Sequence, residues 1–379
     1  MLSLNILFCA LGTTVSSLSL PPTTGPFGVG SKAWVLEKVT KNDPVASDGV
    51  GKSLLLNVYY PTQDTASPRR YIWDGLATYF EDYYNVSSGA FGNTTARILD
   101  GAPVHPDCDD YALPTLLWGP PFTGPPSQMF SSLFSDLVSQ GYMIVTVDHP
   151  GEQPYLQYPN GTGVKGLGKD FIPDGDFINR VHEYRLEDNA AVLDALPMLQ
   201  KELGVPLNLT HVALFGHSLG GSAALNQLLY DKNRKNPQIL GSIDIDGQVF
   251  PPAFTNDSSA DAHTPTLLLM SEEHLAVGDF SLAQFVTWQT DWSKYLIIHG
   301  KTNHSDFTDL GVLLQGNGIT GGDGAIKAER MVEITRRFVR TFFDMIGKVG
   351  GEGILSGSDR VKKEWPEVEF ASSAPSAVP

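Results

Sequence analysis

The stretch HVALFGHSLGGSAALNQLLYD (residues 211–231) carries the architectural signal of this chain. Its opening HVALFG is a short apolar run of strand type, and LGGSAALNQLLYD has the small-residue, periodic pattern of a helix. Between them lies only Gly216-His217-Ser218-Leu219-Gly220, a G-x-S-x-G. A strand that passes into a helix through this pattern is the setting of a nucleophile elbow, in which the serine takes strained dihedrals on a sharp turn. Residues two positions away must then lack bulk, which Gly216 and Gly220 satisfy. Gly221 and Ala223 let the helix lie close to the sheet. Ser218 falls at the helix N-terminus, where free N–H groups face a developing oxyanion, so the Leu219 N–H is one expected donor.

Outward from the elbow, apolar runs alternate with helical patterns. WVLEKVT and LLLNVYYP read as strands, LPTLLW (113–118) as a strand covered on both faces, and SQMFSSLFSDLVSQG as a helix burying Met129, Leu133, Phe134 and Leu137. YMIVTVD, ILGSIDID, TPTLLLMS and KYLIIH supply further strands. Long helices are expected over FINRVHEYRLEDNAAVLDALPMLQKEL, where Pro197 could kink the chain, and over AERMVEITRRFVRTFFDMI. This alternation predicts an α/β class with a mostly parallel sheet between helices. The catalytic domain is expected over 27–347, with insertions at about 62–110 and 152–177 and a disordered tail over 350–379, where Gly, Ser, Pro and charge dominate.

The chain has 379 residues, 41% of them hydrophobic, enough for a large core. A net charge of −16 argues against nucleic acid as a partner, because few cations are present to displace phosphate counterions. Residues 1–19 read as a signal peptide, apolar from Leu2 to about Val15, though without Lys or Arg before the apolar run. Its removal would take Cys9 and leave Cys108 alone among acids that oppose thiolate formation. Six N-x-S/T sequons, at Asn85, Asn93, Asn160, Asn208, Asn256 and Asn303, fit a secreted glycoprotein. No other run is apolar and long enough to span a bilayer. Transient contact with a lipid surface remains compatible with this chain, and no cofactor or metal is expected.

In a sheet of this kind the acid and then the histidine follow the nucleophile, on loops after later strands. SIDIDGQVFPP places Asp244 and Asp246 two residues apart, about 6.6 Å. Asp246 stands at the strand's end and Asp244 deeper, needing a partner of its own. Glu272, in LLLMSEEH, is the rival acid. Among the histidines, His263 precedes its strand, His274 arrives before the last one, and His299 ends YLIIH, where packing should hold it. His304, in HGKTNHSDFTDL (299–310), lies beyond that strand on the expected face. Ser305 or Asp306 is available to cap the next helical turn, and a glycan at Asn303 would crowd the site. His217 is expected to pack under the elbow. The second oxyanion donor should come from WGPPFTGPPS, where four prolines offer no N–H. Thr123 or Phe122 is the expected donor.

Three motifs in order resemble the platelet-activating factor acetylhydrolase family, the secreted group VII phospholipase A2-like esterases of the α/β-hydrolase superfamily. These are GHSLGG at 216–221, D-x-x-x-F-P from Asp246 to Pro251, and H-x-x-F-x-D with His304, Phe307 and Asp309. FSDLVSQGYMIVTVDHP is also similar to the family's segment before the elbow. The resemblance covers about 113–343 and implies Ser218 as nucleophile, Asp246 as orienting acid and His304 as base. It also implies a calcium-independent esterase that prefers short or oxidised acyl groups on a phospholipid. Two departures bear on the acyl pocket: GPPFTGPP replaces the family's His-Gly oxyanion loop, and Gln248 stands where an aromatic is common. A general carboxylesterase, a cutinase-like polyesterase or a thioesterase would use the same triad. A non-enzymatic binding module is disfavoured because no triad residue is missing.

Overall fold

The computed structural model describes residues 18–38, 43–45, 53–65, 67–107, 113–168, 170–255, 257–276, 278–319 and 322–375. All but the last two residues of the expected signal peptide, and also Cys108 and Asn256, lie outside them.

Ten strands form one sheet: β1 (Gly28–Glu37), β2 (Ser53–Thr62), β3 (Ile98–Asp100), β4 (Thr115–Gly119), β5 (Met143–Asp148), β6 (His211–His217), β7 (Gln238–Ile245), β8 (Thr266–Ser271), β9 (Ser293–Ile298) and β10 (Val368–Ala374). Their spatial order is β10-β9-β8-β7-β6-β4-β5-β2-β1-β3. The run from β5 through β4 and β6 to β9 is parallel. β2 pairs antiparallel with β5 and β1, β10 pairs antiparallel with β9, and β3 adds in parallel to β1. The chain leaves β4 toward β5 and returns to its other side as β6, so the crevice at the carboxyl ends of β4 and β6 is the topological switch point. Gly119 and Gly216 sit opposite each other there.

The principal helices are α1 (Asp74–Tyr83), α2 (Ser131–Ser139), α3 (Gly175–Leu203), α4 (Leu219–Tyr230) and α5 (Ala328–Ile346). Alternating strand residues split the core. Leu116 and Trp118 of β4 join α2 and α5 on one face, and Leu117 joins Val192, Leu196 and Leu199 of α3 on the other. Met331, Ile334, Phe338, Phe342 and Phe343 make the helical stripe of α5. Each such buried side chain contributes roughly 1.5–3 kcal/mol. Trp118 is wedged among Phe130, Phe134 and Phe215, with ring centroids at 4.8, 5.1 and 4.7 Å, and this block underlies the elbow. The helix α3 begins where Asp174 accepts the Phe177 N–H at 2.7 Å and ends at left-handed Gly204 (φ 62°), running through Pro197 without a break.

Three expectations need correction. The tail expected to be disordered over 350–379 is ordered over its described residues, 350–375. A 3-10 turn (Gly353–Ser356), a short helix (Asp359–Glu364) and β10 bury Leu355, Val361, Trp365 and Val368 in the main core. Trp365 meets Phe338 edge-on at 5.5 Å. Average composition hid this, because an edge strand buries only alternate residues and β10 fills the others with Glu369, Ala371 and Ser373. The 62–110 segment is not wholly an insertion, since β3 belongs to the sheet. The 152–177 segment carries a small ribbon (Tyr155–Gln157 with Gly163–Lys165) and the start of α3.

Candidate active site

Ser218 occupies the turn between β6 and α4 with φ 58° and ψ −127°, a conformation costing on the order of 1–3 kcal/mol. Its surroundings hold it there. The Ser218 N–H donates to the Ile245 carbonyl at 2.8 Å, and its carbonyl accepts from the Ser222 N–H at 3.0 Å. A Cβ on Gly216 would lie 2.3 Å from the Gly220 carbonyl carbon, and one on Gly220 would lie 2.1 Å from the Gly119 oxygen. The glycines are therefore required by close approach, and the approach brings the β4 loop against the elbow. Gly221 leaves space for Asp244, whose Oδ1 would be 2.1 Å from an added Cβ.

The two aspartates of β7 have separate fates. Asp246, just past the strand at φ 53°, accepts the Ser271 N–H on Oδ1 at 2.7 Å. Its Oδ2 lies 2.6 Å from Nδ1 of His304. Burial works to raise this carboxyl, but the hydrogen bond and charge of His304 hold it below the ordinary aspartate value. A carboxylate can only accept, so it places the imidazole proton on Nδ1 and leaves Nε2 as the basic nitrogen. Asp244 is fully buried, and its Oδ1 accepts the Gly247 N–H at 3.0 Å. Burial, and then the Asp246 charge, push it well above its ordinary value.

Glu272, the rival acid, is elsewhere. Its Oε2 accepts the N–H groups of Gly300 and Lys301 at 2.9 and 2.6 Å, bracing the turn that leads to His304. His299 is held by Glu369 at 2.7 Å, not by packing. His263 is largely exposed at the start of β8. His274 is buried behind the acid, its Nδ1 3.7 Å from Asp246 Oδ1 and its Nε2 3.4 Å from Asp279.

His304 opens a 3-10 turn (His304–Phe307) whose cap is Asn303, where the sequence suggested Ser305 or Asp306. The Asn303 side chain accepts the Ser305 N–H at 2.9 Å, and Asp306 Oδ2 accepts the Asn303 N–H and Nδ2–H at 2.8 and 2.9 Å. The nitrogen that a glycan would need is thus part of the cap. Asp309 ties the same loop to the N-terminus of α2, accepting from the Ser132 N–H at 3.0 Å and the Tyr71 hydroxyl at 2.8 Å. Buried His217 lies beneath, its ring 4.3 Å from that of His304 and its Nε2 2.9 Å from the His304 carbonyl. Burial first, and the His304 charge second, drive His217 well below the usual histidine value, so it is a neutral platform.

Ser218, Leu219, Asp246 and His304 line one cavity of about 390 Å³, together with Phe122 and Phe250. Thr123, at φ 49°, is not part of that lining, which favours Phe122 of the two expected donors. Among the described residues, the set nearest to a metal site is His217, Asp246 and His304, with ligand atoms within 4.8 Å of one another. Its Asp246 and His304 atoms are already bonded to each other. No helix among the described residues is long and apolar enough to cross a membrane.

Sequence reasoning missed Arg185, which grips the proline loop, and Glu152, which holds Arg185, because a charged residue on an amphipathic helix or in a Gly- and Pro-rich turn ordinarily reads as solvated. His217 packs under the elbow as expected, whereas the tie that Asp309 makes to α2 and Tyr71 had no local signal beyond its motif.

Residues 185–343 match the family described as platelet-activating factor acetylhydrolase, isoform II. Over 285 residues the chain is 24% identical to a protein of Arthroderma benhamiae named "Probable 1-alkyl-2-acetylglycerophosphocholine esterase", covering 69% of this chain and 67% of that one. In fold it is similar to a ferulic acid esterase from Streptomyces cinnamoneus, with a TM-score of 0.74 at 22% identity over 94% of this chain and 100% of the other. With its nucleophile elbow, its acid–histidine pair and these matches in agreement, the chain has an α/β-hydrolase fold and is similar, over residues 185–343, to the platelet-activating factor acetylhydrolase, isoform II family.

Proposed function

We propose that this chain is a secreted esterase that hydrolyses short acyl esters, with the sn-2 acetyl group of an alkyl phospholipid as the favoured substrate. The observation that carries the chemistry is the 2.6 Å Asp246–His304 pair facing the same cavity as Ser218. Ser218 Oγ attacks the ester carbonyl while His304 Nε2 takes its proton, and Asp246 stabilises the imidazolium. His304 then returns the proton to the leaving alcohol. Water, deprotonated by the same nitrogen, releases the acid from the acyl-serine. The N–H groups of Leu219 and Phe122 receive the oxyanion, each contributing about 3 kcal/mol. A cavity of about 390 Å³ bounded by Phe122 and Phe250 suits a short acyl group better than a long chain. The substrate named for the Arthroderma relative supports the acetyl reading. Secretion rests on the apolar N-terminus and the sequons.

The test is an acyl-length series of p-nitrophenyl esters run beside a 2-acetyl phospholipid, with Ser218→Ala as control. Turnover should peak at the shortest acyl groups and include the phospholipid. A maximum at long chains or on polymer defeats the substrate assignment, and near-normal turnover by Ser218→Ala defeats the mechanism.

A further inference from the structure

The loop Gly119–Pro126 has few backbone donors, and two of its carbonyls point at one buried cation. Arg185 of α3 donates through Nη1 to the Pro120 carbonyl and through Nη2 to the Pro121 carbonyl at 3.3 Å. Glu152 in turn accepts from Arg185 Nη2 at 2.6 Å and Nε at 3.0 Å, and both side chains are 1% exposed. Behind them, Asp188 joins His149 at 2.8 Å and pairs with Lys38. The loop also abuts the elbow, where a Cβ on Gly220 would lie 2.6 Å from the Pro120 oxygen.

We infer that the Arg185–Glu152 pair positions the oxyanion donor by fixing the Pro121–Phe122 peptide. In a trans peptide the C=O and N–H point in opposite directions. Arg185 holds the Pro121 oxygen on the α3 side, so the Phe122 N–H is turned away from Arg185, and Phe122 lines the cavity that holds Ser218. The preceding proline contributes a carbonyl to the same guanidinium but no N–H that could compete. A fork of planar donors suits two successive carbonyls in a way a point charge does not. Glu152 neutralises the cation in a site where an unpaired charge would be costly. Arg185 does not touch the reacting atoms. It is a positioning residue.

This inference rests on the proposed acyl transfer, and the test separates the two. Arg185→Lys and Glu152→Gln are assayed on a short p-nitrophenyl ester and titrated with a trifluoromethyl ketone, whose serine adduct bears the oxyanion. Arg185→Lys should lower kcat about 30- to 100-fold with KM nearly unchanged, because the donor acts in the transition state. Inhibition by the ketone should weaken by the same factor. Glu152→Gln keeps the shape and an acceptor, so it should show the same split at smaller size and serves where the lysine variant fails to fold. A kcat within twofold of wild type in a folded variant, or a loss falling on KM without loss of ketone affinity, overturns the clamp. Activity surviving in Ser218→Ala instead overturns the reaction beneath it.

Discussion

Two loops complete the site around the elbow, and they are built in opposite ways. The loop from His299 to Asp309 presents a side chain, and its backbone carries a local device of its own, the Asn303–Asp306 capping box, to which the Glu272 brace and the tie from Asp309 to Ser132 and Tyr71 are added from elsewhere in the chain. The loop from Gly119 to Pro126 is the one expected to present a backbone N–H, and its fixtures are side chains of other elements gripping its carbonyls and its far end. Arg185 holds one end, and Asp148 holds the other by accepting from the N–H and hydroxyl of Ser127 at 2.8 and 2.9 Å. A side-chain function can be placed by a short motif. A main-chain function needs its peptide plane set from outside, because the loop sequence does not say which way that plane faces.

The largest expected effect breaks the side-chain loop at its chemistry. Asp246→Asn removes the charge that fixes the His304 tautomer and should cost about 10⁴-fold in kcat. Glu272→Gln, which retains an acceptor for Gly300 and Lys301, should cost no more than about threefold. Kinetics on one activated acetyl ester decide between the two acids, and a larger loss in Glu272→Gln reverses the assignment.

The anchor of the backbone loop gives a pH signature. Burial raises the Asp148 carboxyl to about 6, against the hydrogen bonds from Ser127. The folded state therefore binds this proton more tightly than the unfolded state. The resulting stabilisation is full below the unfolded value of 3.8 and is lost as pH rises through about 6. A rise of that size corresponds to roughly 3 kcal/mol. Asp148→Asn, permanently neutral, should match wild type near pH 4 and exceed it by up to that amount at pH 8, read from urea unfolding at both pH values. Equal stability at pH 8 would show that Asp148 titrates like an exposed acid.

The smallest effect belongs to the local device. Asp306→Ala removes one half of the capping box and should cost about 1 kcal/mol. It should reduce kcat only a few-fold, since Asp309 and Glu272 still hold the loop. A loss as large as that of Asp246→Asn would mean that the loop has no redundancy.

Much of this is legible in the residues alone. The segments read as core strands and long helices from LPTLLW to AERMVEITRRFVRTFFDMI occur where their periodicity puts them, because buried parallel strands and amphipathic helices write their burial into consecutive residues. The elbow is legible for the same local reason, its glycines being demanded by the sharpness of the turn itself. Asp246 and His304 are reachable through chain order, and the structure brings them together at 2.6 Å.

What only the tertiary structure decided depends on residues distant in sequence. Arg185 and Pro120 are 65 positions apart, and nothing in either neighbourhood announces the other. His217 becomes a neutral platform only because the His304 loop closes over it. Ordering of the C-terminal segment likewise required α5 to offer Phe338 to Trp365. The sequence determined which side chains could do acyl chemistry, since chemistry belongs to residue type and local turns. Which backbone N–H can face the serine is left to the fold, since a peptide plane takes its direction from what grips it.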